Sequence, residues 1–175
     1  MKKFYLIFTM VFVVTVFAVN CMGEPLSPKL AKAKVKAAAE LLKDKGDAAI
    51  PAIKDPNGEF RFADRGEGYI WIHNLEGIMI MHPTKPSLDG KPLFGIKDPN
   101  GVYLFVNMNE IVEEKGAGWV GYAWPKPGAD KTSPKMSYVI LVHHGEKSYV
   151  AGCGIYDVTA EDIKKEFPDD PIYED

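Results

Sequence analysis

Two short alternating segments joined by a turn constrain the fold more than any other feature of this sequence. Tyr69 to His73 alternates ring-bearing and aliphatic side chains, and this period of two predicts a β-strand. Asn74 to Gly77 has turn-forming residues, and Ile78 to His82 is predicted as the returning strand. The pattern therefore predicts an antiparallel hairpin whose first strand carries its aromatic rings on one face. His73, beside the turn, is expected to be exposed.

Two helices are predicted along the chain. Leu26 to Lys45 begins with a capping serine and a first-turn proline, Ser27 and Pro28, and then places apolar residues at helical spacing. Val102 to Lys115 has a second apolar stripe on one face. Three further strands are predicted at residues 119–124, 135–142 and 148–156.

The order of these elements sets the fold class. Short connections make most neighbouring strands antiparallel. We therefore predict an α+β domain, with a long N-terminal helix packed on a central antiparallel sheet of about five strands and the helices on one face of it. After residue 158, Thr159 and Asp162 have the spacing of a helix cap, and an acidic, proline-broken segment follows.

One six-residue string occurs twice. Ile53 to Gly58 and Ile96 to Gly101 both read Ile-Lys-Asp-Pro-Asn-Gly. Asp, Pro, Asn and Gly in this order suit a type I turn, so both copies are predicted as turns. They lack the alternating acidic ligands of a calcium loop, and two copies are too few for a repeat fold.

Composition and charge limit the classes of function. The chain has 21 Lys and Arg against 24 Asp and Glu, a net charge of −3, whereas nucleic-acid binders carry a basic excess. Two cysteines are too few for a disulfide framework or a Cys-rich metal site. His143 and His144 are adjacent, so on a strand they would point to opposite faces. We predict no catalytic residue, no metal, no cofactor and no nucleic-acid partner, and thus no enzyme.

The N-terminus has the pattern of an export signal. Lys2 and Lys3 precede an apolar run from Phe4 to Val19, which is short for a membrane span. We predict a signal peptide over residues 1–22, with an uncertain cleavage site, and a periplasmic or secreted protein. The alternatives are a retained anchor and a lipoprotein acylated at Cys21, although Asn20 fits the lipoprotein pattern poorly.

Aromatic and cationic residues concentrate around two loops of the predicted sheet. Aromatic walls with a few polar groups are typical of small-molecule pockets, and a lysine or arginine beside them holds a carboxylate by charge-assisted hydrogen bonds. For each aromatic ring the alternative is that it belongs to the core, and for His82 it is a structural hydrogen bond to the following loop. The predicted ligand-binding residues are Tyr69, Trp71, His82, Tyr122, Trp124, Lys126, Lys135 and Tyr138. If neither lysine binds the anion, Arg61 or Arg65 is the next candidate.

Several strings occur in an order that points to a known family. They are Asp55-Pro56-Asn57-Gly58, Tyr69-Ile70-Trp71-Ile72, Met81-His82-Pro83, Leu88-Asp89-Gly90-Lys91, Lys97-Asp98-Pro99-Asn100-Gly101, Gly121-Tyr122-Ala123-Trp124-Pro125-Lys126-Pro127, Lys135-Met136-Ser137-Tyr138-Val139 and Gly152-Cys153-Gly154-Ile155-Tyr156. Over residues 26–158 the chain resembles a single Cache domain, an extracytoplasmic PAS-like sensor module. The resemblance implies a pocket on the sheet face opposite the first helix, covered by the loops after His82 and Trp124. It also implies a small organic ligand, often a short carboxylate.

The resemblance leads to two functional hypotheses. In the first, the chain is an exported, stand-alone Cache-type domain that binds an organic acid and senses it with a membrane receptor or kinase partner, because only an acidic C-terminal tail at residues 159–175 follows the domain. In the second, it is a periplasmic structural or protein-interaction domain whose pocket is filled by its own aromatic rings. A polar cavity beside His82 and Lys126 would favour the first hypothesis, and a fully packed interior the second.

Overall fold

The structure, a computed structural model, describes residues 25–63, 67–126 and 128–173. The predicted signal peptide, with Cys21, lies outside the described residues, and so does Arg65. Within the described ranges, no helix is both long enough and apolar enough to cross a membrane.

The secondary structure follows the predicted order, with short additions. In the described ranges the α-helices are α1 (Pro28–Lys45), α2 (Ile50–Lys54), α3 (Leu104–Lys115) and α4 (Ala160–Glu166). The strands are β1 (Arg61–Phe62), β2 (Gly68–Tyr69), β3 (Trp71–His73), β4 (Met79–Met81), β5 (Ala117–Pro125), β6 (Thr132–His144) and β7 (Lys147–Tyr156). Short 3₁₀ turns lie at Gly46–Ala49 and Pro86–Leu88.

Five strands form one antiparallel sheet in the order β4-β3-β7-β6-β5. β1 and β2 form a separate two-stranded ladder. The predicted α+β class, the long N-terminal helix and the sheet of about five strands are therefore confirmed. β6 and β7 are long and regular, with a two-residue hairpin at Gly145 and Glu146 between them.

Helix α1 begins and ends as its sequence predicts. The Ser27 side chain accepts a hydrogen bond from the Leu30 backbone N–H at 3.2 Å, and Gly46 ends the helix with a positive φ of 53°. The buried stripe of α1, which includes Val35 and Leu42, packs on β6 and β7 together with Ile70 and Ile72.

Helix α3 lies on the opposite face of the sheet. Its buried stripe packs with Tyr69, Trp71 and Val139, and it contacts β5 and β6. The sheet is therefore sandwiched between α1 and α3, and the prediction that the helices share one face is wrong. This part of the sheet is apolar on both faces, with Tyr69 and Trp71 on one and Ile70 and Ile72 on the other. Each face is therefore covered by a helix.

The segment predicted as an acidic tail is folded onto the domain as far as Tyr173. Thr159 and Asp162 form a reciprocal capping box at the start of α4. Asp170 accepts a hydrogen bond from Trp119 Nε1 at 2.9 Å and forms an ion pair with Lys32 of α1. Residues 171–173 then hydrogen-bond to the outer edge of β5 through both backbone groups of Trp119. This segment covers an edge that would otherwise be open to strand pairing.

Candidate ligand-binding site

A small polar cavity lies on the sheet face that α3 covers. Its lining residues come from β2, β3, β5, β6, the end of the β3–β4 hairpin and the first turn of α3. They are Tyr69, Trp71, His82, Leu104, Phe105, Tyr122, Trp124 and Lys135. The cavity volume is about 10 Å³, close to what one water molecule requires.

Six of the eight sequence-predicted site residues therefore come together. The sequence interpretation did not include the other two lining residues, Leu104 and Phe105, because they belong to an apolar helical stripe that reads as core. Their position at the very start of α3, directly after a loop, is the signal that could have identified them.

Lys135 carries the only charge among these lining residues. Its side chain is buried, and Nζ donates hydrogen bonds to Tyr156 Oη at 3.1 Å and Tyr69 Oη at 3.3 Å. Nζ also lies 5.7 Å from the centre of the Trp71 ring. Burial by itself lowers the pKa of Lys135, but the oxygens of Tyr122, Tyr69 and Tyr156 outweigh it and raise the pKa above its usual value. Lys135 is therefore an ammonium at neutral pH.

No acidic side chain neutralises this ammonium in the described part of the chain. The ion pairs of the described residues involve other lysines, and no Asp or Glu lines the cavity. A buried charge without a counter-ion is costly, so such groups are normally paired. One anion would neutralise the positive charge of Lys135.

Two glycines of β7 make space for the site. A Cβ at Gly154 would overlap the Lys135 side chain, and a Cβ at Gly152 would overlap the Trp71 ring. Because neither glycine has a side chain, Lys135 and Trp71 lie across the neighbouring strand and reach the cavity. The Gly-Cys-Gly spacing of β7 puts both glycines on the same sheet face.

The indole N–H of Trp71 has no partner among the described residues. Nε1 is fully buried and makes no hydrogen bond. Most buried polar groups in native structures are hydrogen-bonded. The Trp71 N–H, in a residue that lines the cavity, is therefore available to a hydrogen-bond acceptor bound there.

His82 is neutral and adds a further donor. Its Nδ1 accepts a hydrogen bond from the Lys85 backbone N–H at 3.0 Å, so the ring hydrogen lies on Nε2. Burial, together with the nearby Lys135 and Lys85 ammonium groups, lowers the pKa of His82 to about 3. The ring centre is 5.3 Å from that of Tyr69. His82 therefore orders the following loop with one nitrogen and leaves an N–H on the other.

Tyr122 pairs with a buried serine. The Tyr122 and Ser137 hydroxyl oxygens are 2.7 Å apart, and burial raises the pKa of Tyr122, so it keeps its proton. One hydrogen bond uses one of the two hydroxyl hydrogens, which leaves the other for a further acceptor.

Trp124, one of the lining residues, contacts Lys85. Trp124 is the one lining residue that is partly exposed; the other seven are buried. Lys85 Nζ, from the loop after His82, lies 4.6 Å from the centre of the Trp124 ring. The loop after His82 therefore contacts the end of β5.

Lys126 and Tyr138 lie away from the cavity, contrary to the sequence prediction. Lys126 is partly exposed and forms an ion pair with Asp157 at 2.5 Å. Tyr138 faces α1, with its ring centre 5.1 Å from that of Trp119. The physical reason is strand parity: Tyr138 is three positions from Lys135 on β6, so the two side chains point to opposite faces.

The cavity is rich in hydrogen-bond donors. It collects an ammonium group, an indole N–H, an imidazole N–H and two tyrosine hydroxyls, and lacks an acidic acceptor. Helix α3 also begins here, and Tyr103, its N-cap residue, makes no side-chain capping hydrogen bond, so the positive end of the helix dipole borders the site. No cluster of His, Cys, Asp and Glu suited to a metal ion occurs in the described ranges.

Comparisons with known proteins identify the family of the chain. Residues 31–168 match the family described as "Cache domain". The methyl-accepting chemotaxis protein McpP of Pseudomonas putida is 39% identical over 101 residues, 58% of this chain and 18% of that protein. The sensor histidine kinase MctS of Rhizobium johnstonii is 27% identical over 90 residues, 51% of this chain and 19% of that protein. The chain thus aligns with less than a fifth of the length of either relative.

A solved structure is similar to this chain in fold as well as in sequence. It is a Cache chemosensory domain described for its carboxylic acid recognition, and it is 34% identical to this chain with a TM-score of 0.63. The match covers 74% of this chain and 92% of that chain. The family match spans more than half of the sequence, and the solved structure shares the fold. The chain belongs to the Cache domain family.

Proposed function

We propose that this Cache domain binds a short organic carboxylate in the cavity around Lys135 and acts as an extracytoplasmic sensor domain. The observation that carries the proposal is the buried Lys135 ammonium, which has no acidic partner in the described part of the chain. A bound carboxylate would supply the missing charge and accept hydrogen bonds from Lys135 and the unpaired Trp71 N–H.

The size of the cavity supports a small ligand. A volume of about 10 Å³ leaves no room for a bulky acid or an amino acid with a long side chain. We infer that the ligand has two or three carbon atoms and that the cavity, which has room for about one water molecule, enlarges when the acid enters. Entry requires a small outward movement of the loop carrying Lys85, whose backbone N–H is held by His82.

The partner is proposed from the same comparisons. The relatives that the chain resembles are a chemotaxis protein and a sensor histidine kinase, so the ligand signal would reach a receptor or kinase pathway. Export through residues 1–22 and the stand-alone arrangement stay predictions.

The second candidate function is a structural or protein-interaction domain whose pocket is filled by its own aromatic rings. The small cavity volume favours it. The buried, unpaired Trp71 N–H opposes it, because most buried donors in native structures are hydrogen-bonded.

A binding experiment separates the two candidates. The folded protein is titrated calorimetrically with acetate and propionate, with acetamide as an uncharged analogue of nearly the same shape. We expect both acids to bind and to raise the melting temperature, and acetamide to do neither. Lys135→Met should weaken acid binding by about 1.5–3 kcal/mol, roughly 10- to 150-fold.

Lys126→Met is the matched control, since Lys126 is paired with Asp157 outside the cavity. It should bind the acids as the wild type does. If no acid shifts the melting temperature at millimolar concentration, the carboxylate proposal fails and the interaction-domain candidate replaces it.

A further inference from the structure

We propose that Leu104, at the first position of α3, sets the longest carbon chain that the cavity accepts. This inference rests on the proposed carboxylate function and adds a selectivity to it. It assigns the discriminating contact to a residue that carries no charge and no hydrogen-bonding group.

The lining residues divide by element into a polar side and an apolar side. Lys135, Trp71, Tyr69 and Tyr122 lie on the strands of the sheet and hold the N–H and O–H groups of the site. Leu104 and Phe105 are the aliphatic and non-polar aromatic members, and both belong to α3. A carboxylate held by the strand donors therefore directs its carbon chain toward the start of α3.

The start of α3 is fixed to the sheet through Asp98. Asp98 Oδ1 accepts a hydrogen bond from Val102 N at 2.9 Å, two residues before the helix. Asp98 Oδ2 accepts one from Ala123 N of β5 at 2.8 Å. The carboxylate of Asp98 thus joins the lead into α3 to the strand that carries Tyr122 and Trp124.

A second connection fixes the next turn of the helix. The Phe105 ring stands edge-on to the His73 ring at 5.3 Å. His73 Nε2 donates to Asn109 Oδ1 at 2.9 Å, and Asn109 Nδ2 donates to the Leu75 carbonyl at 2.9 Å. With both connections in place, α3 cannot move outward as a unit to admit a longer chain without breaking these hydrogen bonds.

Between the two apolar residues, Leu104 is the one that limits length. Both are buried, but the Phe105 ring is held against His73, whereas Leu104 occupies the first position of the helix beside the cavity. Replacing its side chain by that of alanine removes three carbon atoms from the wall and leaves a void of that size. The void is apolar, so it accepts methylene groups better than water.

The experiment measures chain-length selectivity in place of affinity alone. Wild type, Leu104→Ala and Leu104→Val are titrated with acetate, propionate, butyrate and pentanoate. For the wild type we expect affinity to fall beyond propionate. For Leu104→Ala the affinity for pentanoate relative to acetate should rise by roughly fourfold for each methylene accommodated, and Leu104→Val should lie between.

Leu93→Ala is the matched control. Leu93 is as buried as Leu104 and packs in the same core cluster, but it does not line the cavity. It should lose stability without changing the ratio of pentanoate to acetate affinity. Leu104→Val removes only one carbon and keeps the test available if Leu104→Ala does not fold.

The outcomes distinguish this inference from the proposed function. If the wild type binds acetate and the Leu104 variants keep its pentanoate-to-acetate ratio, the inference is wrong and the carboxylate function stands. The same holds if the wild type binds pentanoate as tightly as acetate. If the wild type binds none of the four acids, the proposed function and the inference fall together.

Discussion

The Lys135 side chain crosses Gly154 of the adjacent strand β7 and occupies the space that a side chain at position 154 would fill. The absence of a side chain at 154 is therefore a condition for the buried ammonium to reach Tyr69 and Tyr156. The same contact makes Gly154 a positioning residue for the proposed ligand site.

Gly154→Ala should weaken carboxylate binding although position 154 does not line the cavity. The added methyl group forces the Lys135 ammonium away from its tyrosine partners, so we expect a loss comparable with that of Lys135→Met, roughly 10- to 150-fold. Calorimetry with acetate measures it. Gly95→Ala is the control, because nothing lies within 4 Å of a Cβ there and no positive φ opposes the change. Equal affinity in the two variants would contradict the role of Gly154.

Carboxylate affinity should be independent of pH between about 6 and 9. The pKa of Lys135 is raised and that of His82 is lowered to about 3, so neither group titrates in that range. A short carboxylic acid, with a pKa of about 4 to 5, is already ionised. Acetate titrations at three pH values check this expectation, and a tenfold change across the range would show that a titrating group has been assigned wrongly.

Stability should fall as the pH drops from neutral toward 4. His73 is fully buried, and burial lowers its pKa from 6.5 to about 4, opposed only in part by its hydrogen bond with Asn109. Because the folded-state pKa is the lower one, the stabilisation is present above pH 6.5 and is lost as the pH falls toward 4. The lowering of the His73 pKa corresponds to about 3 kcal/mol of folding stability. The lowered pKa of His82 changes the stability in the same direction.

Urea titrations at pH 7 and pH 4.5 measure this loss. His73→Gln, which removes the titrating group, should show a shallower dependence on pH than the wild type. If the two proteins lose the same free energy of unfolding between these pH values, His73 is not the source.

The two copies of the Ile-Lys-Asp-Pro-Asn-Gly string should differ in their effect on stability. Asp98 is buried and accepts hydrogen bonds from the backbone of Asn100, Val102 and Ala123. Asp55 is exposed and accepts one, from Asn57 N at 2.9 Å. Asp98→Ala should cost about 2–4 kcal/mol and Asp55→Ala less than about 1 kcal/mol, since unpaired buried donors are expensive. Denaturant titration of both variants provides the comparison, and similar losses would show that the Asp98 contacts add little.

Local patterns in the sequence predict the parts of the site that strands position. Period-two alternation predicts that Tyr69 and Trp71 share one face of their strand and that Tyr122 and Trp124 share one face of theirs. The structure brings all four rings to the cavity. The same rule, applied across three positions of β6, excludes Tyr138 from the face of Lys135. That error was avoidable from the sequence.

Contacts between distant segments account for the rest. His73 was expected to be exposed beside a turn, but it is buried because Asn109 of α3 supplies a hydrogen-bond partner 36 residues away. Lys126 follows the regular part of β5, where no periodicity fixes its direction, and it pairs with Asp157. The tail after residue 158 looks polar and broken, yet Asp170 finds Trp119 and Lys32 on separate elements. No local pattern encodes these pairings.

The contact between Lys85 and Trp124 has a consequence for how fast the domain responds. Trp124 is the one partly exposed lining residue, so the proposed ligand would leave past Trp124 and its contact with Lys85. Exchange would then be limited by the opening rate of a loop, on a timescale of about microseconds to milliseconds, and not by diffusion of the acid. Residence time would thus depend on how long the loop stays closed, so two ligands of equal affinity would be released at the same rate only if they hold the loop closed equally well.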